Sequence, residues 1–380
     1  MKFSRAGFVA LMLLTLAACG DKNLRKPAEL QDISNPAIKL DTIWNASAGD
    51  GGDGVYSGLR LDLQPDALFA ADADGEVYAF NPKNGDRIWR AKTKSRVISG
   101  PTVAGNAVYV GTLDADVIAL KRADGSELWR AKLPSEVMAP VAGDGDIIVV
   151  RSVDGHVAGL SSVTGERQWL VDRSVPNLTL RGLSAPVVEG NRVFIGFDNG
   201  RVAALRLSDG QPIWEQVLSV PSGRTELERL IDIDAALMPV GGELYVVSFG
   251  GDLACIDSDS GQILWRRSVK SYTGMAMVGD LVVVTDESGV VWALDSHTGA
   301  AAWKQDALLY RRLSPPASFG GYAVVGDFKG YLHWLDPKDG KIVARSRVGS
   351  DPIRAAMVAG DDVLYVLGDG GRISAMRIKP

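Results

Sequence analysis

Residue types that perform catalysis are few and scattered in this chain of 380 residues. The three histidines, His156, His297 and His333, are far apart, and a single histidine is more often structural than catalytic or metal-binding. Asp72-Ala73-Asp74-Gly75 has the composition of a calcium loop but lacks the closing glutamate and the fixed ligand spacing. No Gly-x-Ser-x-Gly motif and no phosphate-binding glycine loop occurs. We therefore predict no catalytic residues, no metal and no cofactor, unless residues from distant segments converge.

The first cysteine follows a secretion signal. Residues 1–18 begin with positive charges and contain an apolar stretch, Phe8 to Leu16, that is too short to span a membrane. The ending Leu16-Ala17-Ala18-Cys19 resembles a bacterial lipobox, in which the cysteine becomes the lipidated first residue of the mature protein. An ordinary signal peptide with an incidental cysteine is the alternative. Because Gly20 rather than aspartate follows, the resemblance implies sorting to the outer membrane.

The second cysteine, Cys255, lies in the short apolar run Leu253 to Ile256 and has no partner left for a disulfide. We predict that it is a small, buried apolar residue. The formal net charge of −5, without a basic stripe, argues against a nucleic-acid partner.

A repeat organises the rest of the sequence. Six segments place a tryptophan four residues after a glycine, a seventh has Ala344 instead, and the seven glycines are 40, 40, 45, 51, 38 and 41 residues apart. A second small turn, such as Asp74-Gly75 or Asn199-Gly200, precedes most of these glycines by ten residues and suits a tight hairpin. Short β-branched and aromatic runs separate the turns. Each repeat is therefore predicted to be a four-stranded antiparallel propeller blade of about 40 residues.

Eight blades are predicted, and the two ends of the chain share the last one. The final copy, Met357 to Pro380, ends after its third strand, whereas residues 38–47 contain Ile43-Trp44, which matches an ordinary fourth strand. We predict that this N-terminal strand closes the ring and so removes the exposed sheet edges. The prediction is an all-β, eight-bladed β-propeller over residues 38–380, with the tryptophans packed on neighbouring blades. Residues 19–37, the lipidated cysteine and a polar stretch, are predicted to be a flexible tether that reaches roughly 25 Å.

Two connections between blades are longer than the others. Most take 11 to 13 residues from the tryptophan position to the start of the next blade, but Trp169 to Pro186 takes 17 and Trp214 to Pro239 takes 25. Both join a fourth strand to the next first strand, so we expect them side by side on one face, where loops on a rigid scaffold commonly bind partners.

The contents of both insertions suit a protein interface. The first holds Leu178-Thr179-Leu180-Arg181-Gly182, and exposed apolar anchors beside arginine are typical of hot spots. The alternative is that the two leucines fold back on the blades. The second insertion is rich in charge and contains Arg224, Glu226, Glu228, Arg229, Asp232 and Asp234.

The repeated Gly-x-x-x-Trp strand resembles the repeat of quinoprotein alcohol dehydrogenases, the PQQ enzymes, but scaffolds and sensors share it. With the lipobox, the eight predicted blades and the first insertion, the whole chain resembles the BamB family, the lipoproteins of the outer-membrane β-barrel assembly machinery. That resemblance implies a non-enzymatic scaffold that faces the periplasm, binds the POTRA domains of BamA and assists the folding and insertion of β-barrel proteins. By match of motif it implies partner-binding roles for Leu178, Leu180, Arg181, Asp232 and Asp234.

Two further functions stay open on the sequence alone. A PQQ-dependent dehydrogenase is suggested by the repeat, but such enzymes usually have a longer catalytic chain, a calcium site and often adjacent cysteines, and this chain has no adjacent pair. Capture of extended peptides on a strand edge is compatible with the scaffold and would concern unfolded outer-membrane proteins as clients.

Overall fold

The computed structural model describes residues 25–52, 57–173, 175–176, 178–179, 184–221 and 224–379. These residues form eight antiparallel sheets of four strands, one of which gains a short fifth strand, β2, paired in parallel with β7. The predicted all-β, eight-bladed propeller is confirmed.

The strands are β1 (Leu40–Ser47), β2 (Gly58–Leu59), β3 (Asp62–Leu63), β4 (Leu68–Ala71), β5 (Glu76–Phe80), β6 (Arg87–Lys92), β7 (Val97–Ala104), β8 (Ala107–Thr112), β9 (Asp116–Lys121), β10 (Glu127–Lys132), β11 (Ala142–Asp144), β12 (Ile147–Arg151), β13 (Val157–Ser161), β14 (Arg167–Val171), β15 (Val187–Glu189), β16 (Arg192–Gly196), β17 (Arg201–Arg206), β18 (Pro212–Val217), β19 (Met238–Val240), β20 (Glu243–Val247), β21 (Leu253–Asp257), β22 (Ile263–Arg267), β23 (Met275–Val278), β24 (Leu281–Thr285), β25 (Val291–Asp295), β26 (Ala301–Gln305), β27 (Ala317–Phe319), β28 (Tyr322–Gly326), β29 (Tyr331–Leu335), β30 (Ile342–Arg347), β31 (Val358–Ala359), β32 (Leu364–Leu367) and β33 (Arg372–Ile378). Blade 1 comprises β3–β6, blade 2 β7–β10, blade 3 β11–β14, blade 4 β15–β18, blade 5 β19–β22, blade 6 β23–β26, blade 7 β27–β30 and blade 8 β31–β33 with β1.

The N-terminal strand closes the ring as predicted. Strand β1 pairs antiparallel with β33, from Leu40 opposite Ile378 to Ser47 opposite Arg372, and supplies the fourth strand of blade 8. The core confirms the closure, because eight clusters of buried residues lie one at each junction between neighbouring blades, including the junction of blade 8 with blade 1.

The repeated tryptophan joins seven of the eight blades to the next, and blade 7 has Ala344 in its place. The tryptophan side chain lies against the turn between the third and fourth strands of the following blade, and its indole N–H donates to a backbone carbonyl there. The bonds are Trp44 to Pro82 (3.0 Å), Trp89 to Arg122 (2.9 Å), Trp129 to Ser162 (2.9 Å), Trp169 to Leu207 (2.9 Å), Trp214 to Ser258 (2.9 Å), Trp265 to Ser296 (2.7 Å) and Trp303 to Pro337 (2.7 Å). The predicted packing of tryptophans on neighbouring blades is therefore confirmed, and each indole N–H is satisfied.

The four-stranded meander gives the ring two different faces. The upper face carries the connections between blades together with the turns between second and third strands, and the lower face carries the other two turns of each blade. Backbone hydrogen bonds tie these two kinds of upper segment together, as between Thr93 N and the Gly75 carbonyl (2.8 Å) and between Leu133 N and the Ala115 carbonyl (2.7 Å).

Residues 25–37, termed here the N-terminal strap, lie on the outside of the ring against blades 6 and 7. Ala28 N donates to the Leu309 carbonyl and Ala37 N donates to the Val343 carbonyl, both at 2.9 Å. Leu30 packs on the apolar cluster between the two blades. Within the described residues, no helix combines the length and apolar character that crossing a membrane requires.

Candidate functional site

The first insertion, residues 172–186, leaves blade 3 on the upper face. Leu178 is 45 % exposed, which fits the expected apolar anchor on the surface. Leu180 and Arg181 lie outside the described residues, so their predicted partner-binding roles stay predictions.

The first half of the second insertion, up to Arg229, lies at the surface. Val220 is 72 % exposed, and a single 3-10 turn, Leu227–Arg229, follows it. Thr225 and Glu228 form a capping box, because Glu228 N donates to Thr225 Oγ1 (3.2 Å) and Glu228 Oε2 accepts from Thr225 N (3.1 Å). Hydrogen bonds from the backbone N–H groups of Arg224 and Thr225 lower the pKa of Glu228. The turn therefore presents a fixed, charged surface.

The second half, residues 230–237, passes beneath the surface instead. Leu230, Ile231, Ile233 and Leu237 are buried, and Ile233 packs against Gly196, where a Cβ would lie 2.3 Å from its Cγ2 atom. The backbone of this segment bonds to its neighbours, with Phe249 N donating to the Asp232 carbonyl at 2.8 Å.

Burial of this segment determines where the two predicted aspartates lie. Asp232 is 1 % exposed and Asp234 is 4 % exposed, so both carboxylates sit under the upper face. One carboxylate oxygen from each, and one from Asp198, lie within 4.8 Å of one another. The structure thus brings Asp232 and Asp234 together, and it places Leu178 in the neighbouring insertion.

A buried arginine accompanies this acidic group. Arg151 at the end of β12 donates from Nη2 to Asp198, and the side chains of both residues are 4 % exposed. Three clustered carboxylates offer oxygen ligands of the kind that a divalent cation prefers. Here the guanidinium already supplies positive charge to Asp198, so the protein itself balances part of the acidic group.

The two insertions emerge side by side, as predicted. The Ser184 hydroxyl, at the end of the first, donates to the Ala235 carbonyl of the second at 3.1 Å. Beside them, Glu215 accepts from Arg201 at 2.9 Å and lies 3.2 Å from Arg173, a residue of the first insertion. We call the upper face at the described residues of segments 172–186 and 218–229 the insertion surface.

A cavity of about 360 Å³ is lined mainly by the connections between blades. Its charged lining residues are Arg60, Asp234, Arg312, Arg354 and Asp369. Arg354 and Asp369 form an ion pair at 3.0 Å, and burial raises the pKa of Asp369 despite that partner. Asp234 belongs to both the cavity wall and the acidic group, so the insertions extend to the middle of the ring.

The other residues singled out in the sequence take structural positions. His156 lies 2.8 Å from Asp154, His297 bonds to Ser296 at 3.0 Å, and His333 is buried beside Asp327. Asp72 accepts the backbone N–H of Glu76 across a tight turn, as expected for a turn residue. Cys255 is buried as predicted, and burial raises the pKa of its thiol to about 12.

Sequence reasoning missed the pair Arg151–Asp198 and the Ser184 link. Asp198 stands next to Asn199-Gly200 and was indistinguishable from an ordinary turn residue. Arg151 did carry a signal, since it ends the apolar run Ile147-Ile148-Val149-Val150, where a charge must be paired if it is buried.

Comparison with known proteins identifies the family of this chain. The family model described as outer membrane protein assembly factor BamB matches residues 73–305, more than half of the chain. The chain belongs to the BamB family. The protein named outer membrane protein assembly factor BamB from Alkalilimnicola ehrlichii is 48 % identical to this chain. The match covers 99 % of this chain and 97 % of that protein.

Solved structures agree on the fold. BamB from Moraxella catarrhalis has a TM-score of 0.81 at 26 % identity, with 89 % of this chain and 100 % of that chain covered. The quinohemoprotein alcohol dehydrogenase of Comamonas testosteroni has a TM-score of 0.71 at 13 % identity, covering 91 % of this chain and 78 % of that one. At that identity the likeness to the dehydrogenase shows a shared propeller and no more, whereas BamB proteins match over nearly the whole chain.

Proposed function

We propose that this chain is a non-enzymatic scaffold lipoprotein of the outer-membrane protein assembly machinery, anchored through Cys19 and facing the periplasm. Membership of the BamB family supports the process, and the lipobox supports the anchor. The partner inferred from the family resemblance is the POTRA region of BamA, bound through the insertion surface.

One observation carries the choice of surface: the two longest connections in the ring emerge together and are joined by the Ser184–Ala235 hydrogen bond. Leu178 and Val220 are exposed apolar side chains of the two insertions, and the second insertion also exposes Arg224, Glu226, Glu228 and Arg229. Exposed apolar and charged side chains together suit a protein interface.

The five predicted residues divide into two roles under this proposal. Leu178, Leu180 and Arg181 contact the partner. Asp232 and Asp234 are buried beneath the upper face, so under this proposal they influence binding only through the position of the second insertion.

The test is co-purification from detergent-solubilised outer membranes, with partners identified by mass. The Leu178→Ala/Leu180→Ala/Arg181→Ala variant is compared with the wild type and with Leu128→Ala/Leu264→Ala/Arg266→Ala. The control removes two leucines about as exposed as Leu178, and an arginine, from fourth strands elsewhere on the ring. We expect the first variant to lose BamA and the second to keep it. Truncating an interface anchor typically costs ~2 kcal/mol or more, about thirtyfold in affinity.

Three outcomes oppose parts of this proposal. If the wild type brings down no barrel protein, the assembly role is wrong. If both variants keep BamA, the interface lies elsewhere. If the first variant is unfolded, its leucines are core residues, as in the alternative drawn from the sequence.

A quinone-dependent dehydrogenase gains no support from the site. The Asp369 carboxylate of the central cavity is paired with Arg354, and Asp198 in the acidic group is paired with Arg151. Each arginine supplies positive charge to its carboxylate, so these pairs disfavour a calcium ion, and with it a calcium-bound quinone, at Asp369 and at Asp198.

A further inference from the structure

The N-terminal strap runs in a defined direction along the ring. Its start lies at the upper face, where the guanidinium of Arg25 is 5.8 Å from the centre of the Tyr310 ring. Tyr310 belongs to the upper connection between blades 6 and 7, since its N–H donates to the Ser288 carbonyl in the upper turn of blade 6. The strap ends near the lower face, where Ala37 bonds to Val343 at the start of β30. The chain therefore descends the outside of the ring and then turns upward as β1.

Side chains of the ring also hold the strap in place. Arg311 Nη1 donates to the Ala28 carbonyl at 2.9 Å, and Arg345 Nη1 donates to the Gln31 carbonyl at 2.8 Å. Both arginines are themselves fixed by a buried network, because Arg311 pairs with Asp327 at 2.7 Å and Arg345 bonds to His333 at 3.2 Å. With Leu30 packed between the blades, these contacts keep the start of the strap at the upper rim.

This arrangement shortens the length of chain available to the membrane anchor. Six peptide steps separate Cys19 from Arg25. A fully extended chain spans at most ~3.3–3.6 Å per residue, so the lipidated residue lies within about 20 Å of the upper rim at blades 6 and 7. An unattached segment reaching to β1 would allow several times that distance and any orientation of the ring.

The side chains at this part of the upper rim are suited to contact with lipid headgroups. Lys329 and Arg311 lie 5.6 Å and 5.2 Å from the centre of the half-buried Phe328 ring, and Arg347 lies 5.1 Å from that of Tyr331. Arg25, Lys329 and Arg347 are exposed. Aromatic rings with exposed basic groups suit the boundary between water and anionic lipid, because the basic groups are attracted to the lipid charge.

We propose that the strap holds the propeller with the upper rim of blades 6 and 7 against an anionic lipid surface. This inference rests on the lipidation of Cys19 in the proposed function. The insertion surface then lies on the membrane-proximal face of the ring, two to three blades away from the anchored rim, and the lower face points away from the membrane.

The test measures which face lies near the lipid. The full lipidated chain is placed in vesicles of phosphatidylethanolamine and phosphatidylglycerol that carry a headgroup-linked fluorescence quencher. Ala307→Cys labels the upper connection between blades 6 and 7, and Lys338→Cys labels the lower turn of blade 7; both residues are exposed, and the native Cys255 is buried. We expect at least threefold stronger quenching at position 307 than at 338. Equal quenching, or the reverse order, overturns the proposal.

A second pair of variants separates the strap from the anchor. Ten Gly/Ser residues inserted between Leu24 and Arg25 should abolish most of the difference between the two labels, because the anchor then no longer holds the rim close. Replacing residues 20–24 by Gly/Ser of the same length should preserve it. If the insertion leaves the difference unchanged, the short tether is not what orients the ring. Failure of the chain to bind vesicles at all would instead refute lipidation, and with it the proposed anchor.

Discussion

The indole of Trp89 lies directly on Gly125 of the next blade, so that a Cβ at Gly125 would be 2.7 Å from Cε3 of Trp89. Six further glycines meet a tryptophan in the same way, and the pairs are Trp44 with Gly85, Trp129 with Gly165, Trp169 with Gly210, Trp214 with Gly261, Trp265 with Gly299 and Trp303 with Gly340. Glycine and tryptophan recur together because one makes room for the other across a blade junction.

Gly125→Ala should therefore destabilise the ring more than Gly105→Ala. Both glycines have positive φ, +74° and +57°, so both substitutions strain the backbone, but a Cβ at Gly105 meets nothing within 4 Å. The extra loss from the clash should be about 1–3 kcal/mol in the free energy of unfolding, measured by denaturant titration. Equal losses would show that the tryptophan yields without cost.

Ring closure predicts a graded response to N-terminal truncation. Chains that start at residue 25, 38 and 48 remove in turn the residues before the strap, the strap itself, and the strand β1 with Trp44. We expect the first to melt like the mature protein, the second to melt a few degrees lower, and the third to fail to fold cooperatively, because blade 8 then has an exposed edge. Thermal unfolding followed by circular dichroism measures all three; similar midpoints for the second and third would contradict the role of β1.

Arg151→Met should be strongly destabilising, because the side chain is buried beneath the insertions and pairs with Asp198. It leaves Asp198 buried without its guanidinium, and breaking a buried pair typically costs about 3–5 kcal/mol. Arg201→Met, which removes an exposed pair with Glu215, should cost less than about 1 kcal/mol. Adding Asp198→Leu to Arg151→Met should restore part of the loss; a further loss would mean that Asp198 stabilises the ring independently of Arg151.

His333 should make the ring less stable as the pH falls below about 6.5, its ordinary pKa. Burial lowers the pKa of His333, and its geometry fixes the neutral form: Nε2 lies 3.0 Å from Asp327 Oδ2, while Nδ1 accepts from Arg345. The unfolded chain then binds more protons than the folded one, so the free energy of unfolding falls by up to ~1.4 kcal/mol per pH unit as the pH drops from 6.5 toward the lowered pKa.

The matched variant is His333→Gln. A glutamine amide can donate to Asp327 and accept from Arg345 as the neutral imidazole does, but it does not titrate. Unfolding midpoints between pH 7 and pH 5 should therefore fall less steeply in the variant than in the wild type. An unchanged slope would assign the pH dependence to other groups.

The features that could be predicted from the sequence are those that recur from repeat to repeat. Turn glycines at fixed offsets and the recurring tryptophan were enough for the blade, the number of blades and the closing strand. Even the missing tryptophan at Ala344 now has a physical reason: each tryptophan packs on the hairpin between the third and fourth strands of the next blade. Blade 8 has no such hairpin, because its fourth strand comes from the other end of the chain.

The features that could not be predicted from the sequence depend on individual contacts between segments that are far apart in the chain. Residues 25–37 have the polar, proline-containing composition of a linker, yet Leu30 and the carbonyls of Ala28 and Gln31 find partners on blades 6 and 7. Every residue has a backbone carbonyl, so hydrogen bonds to carbonyls cannot be predicted from amino-acid composition. Likewise Asp232 and Asp234 sit in a charged stretch that suggests exposure, and only the packing of their apolar neighbours places them under the surface.

The pairing of β1 with β33 joins the beginning of the domain to its end across more than 300 residues, as in Leu40 opposite Ile378. During synthesis and export the N-terminal half of that pair emerges first and must wait until the whole ring has been made. Blades 1 to 7 can each form from contiguous chain, but the last step joins the most distant segments and costs the largest loop entropy. A prematurely terminated chain therefore lacks a complete eighth blade, and its open edge would expose it to proteolysis.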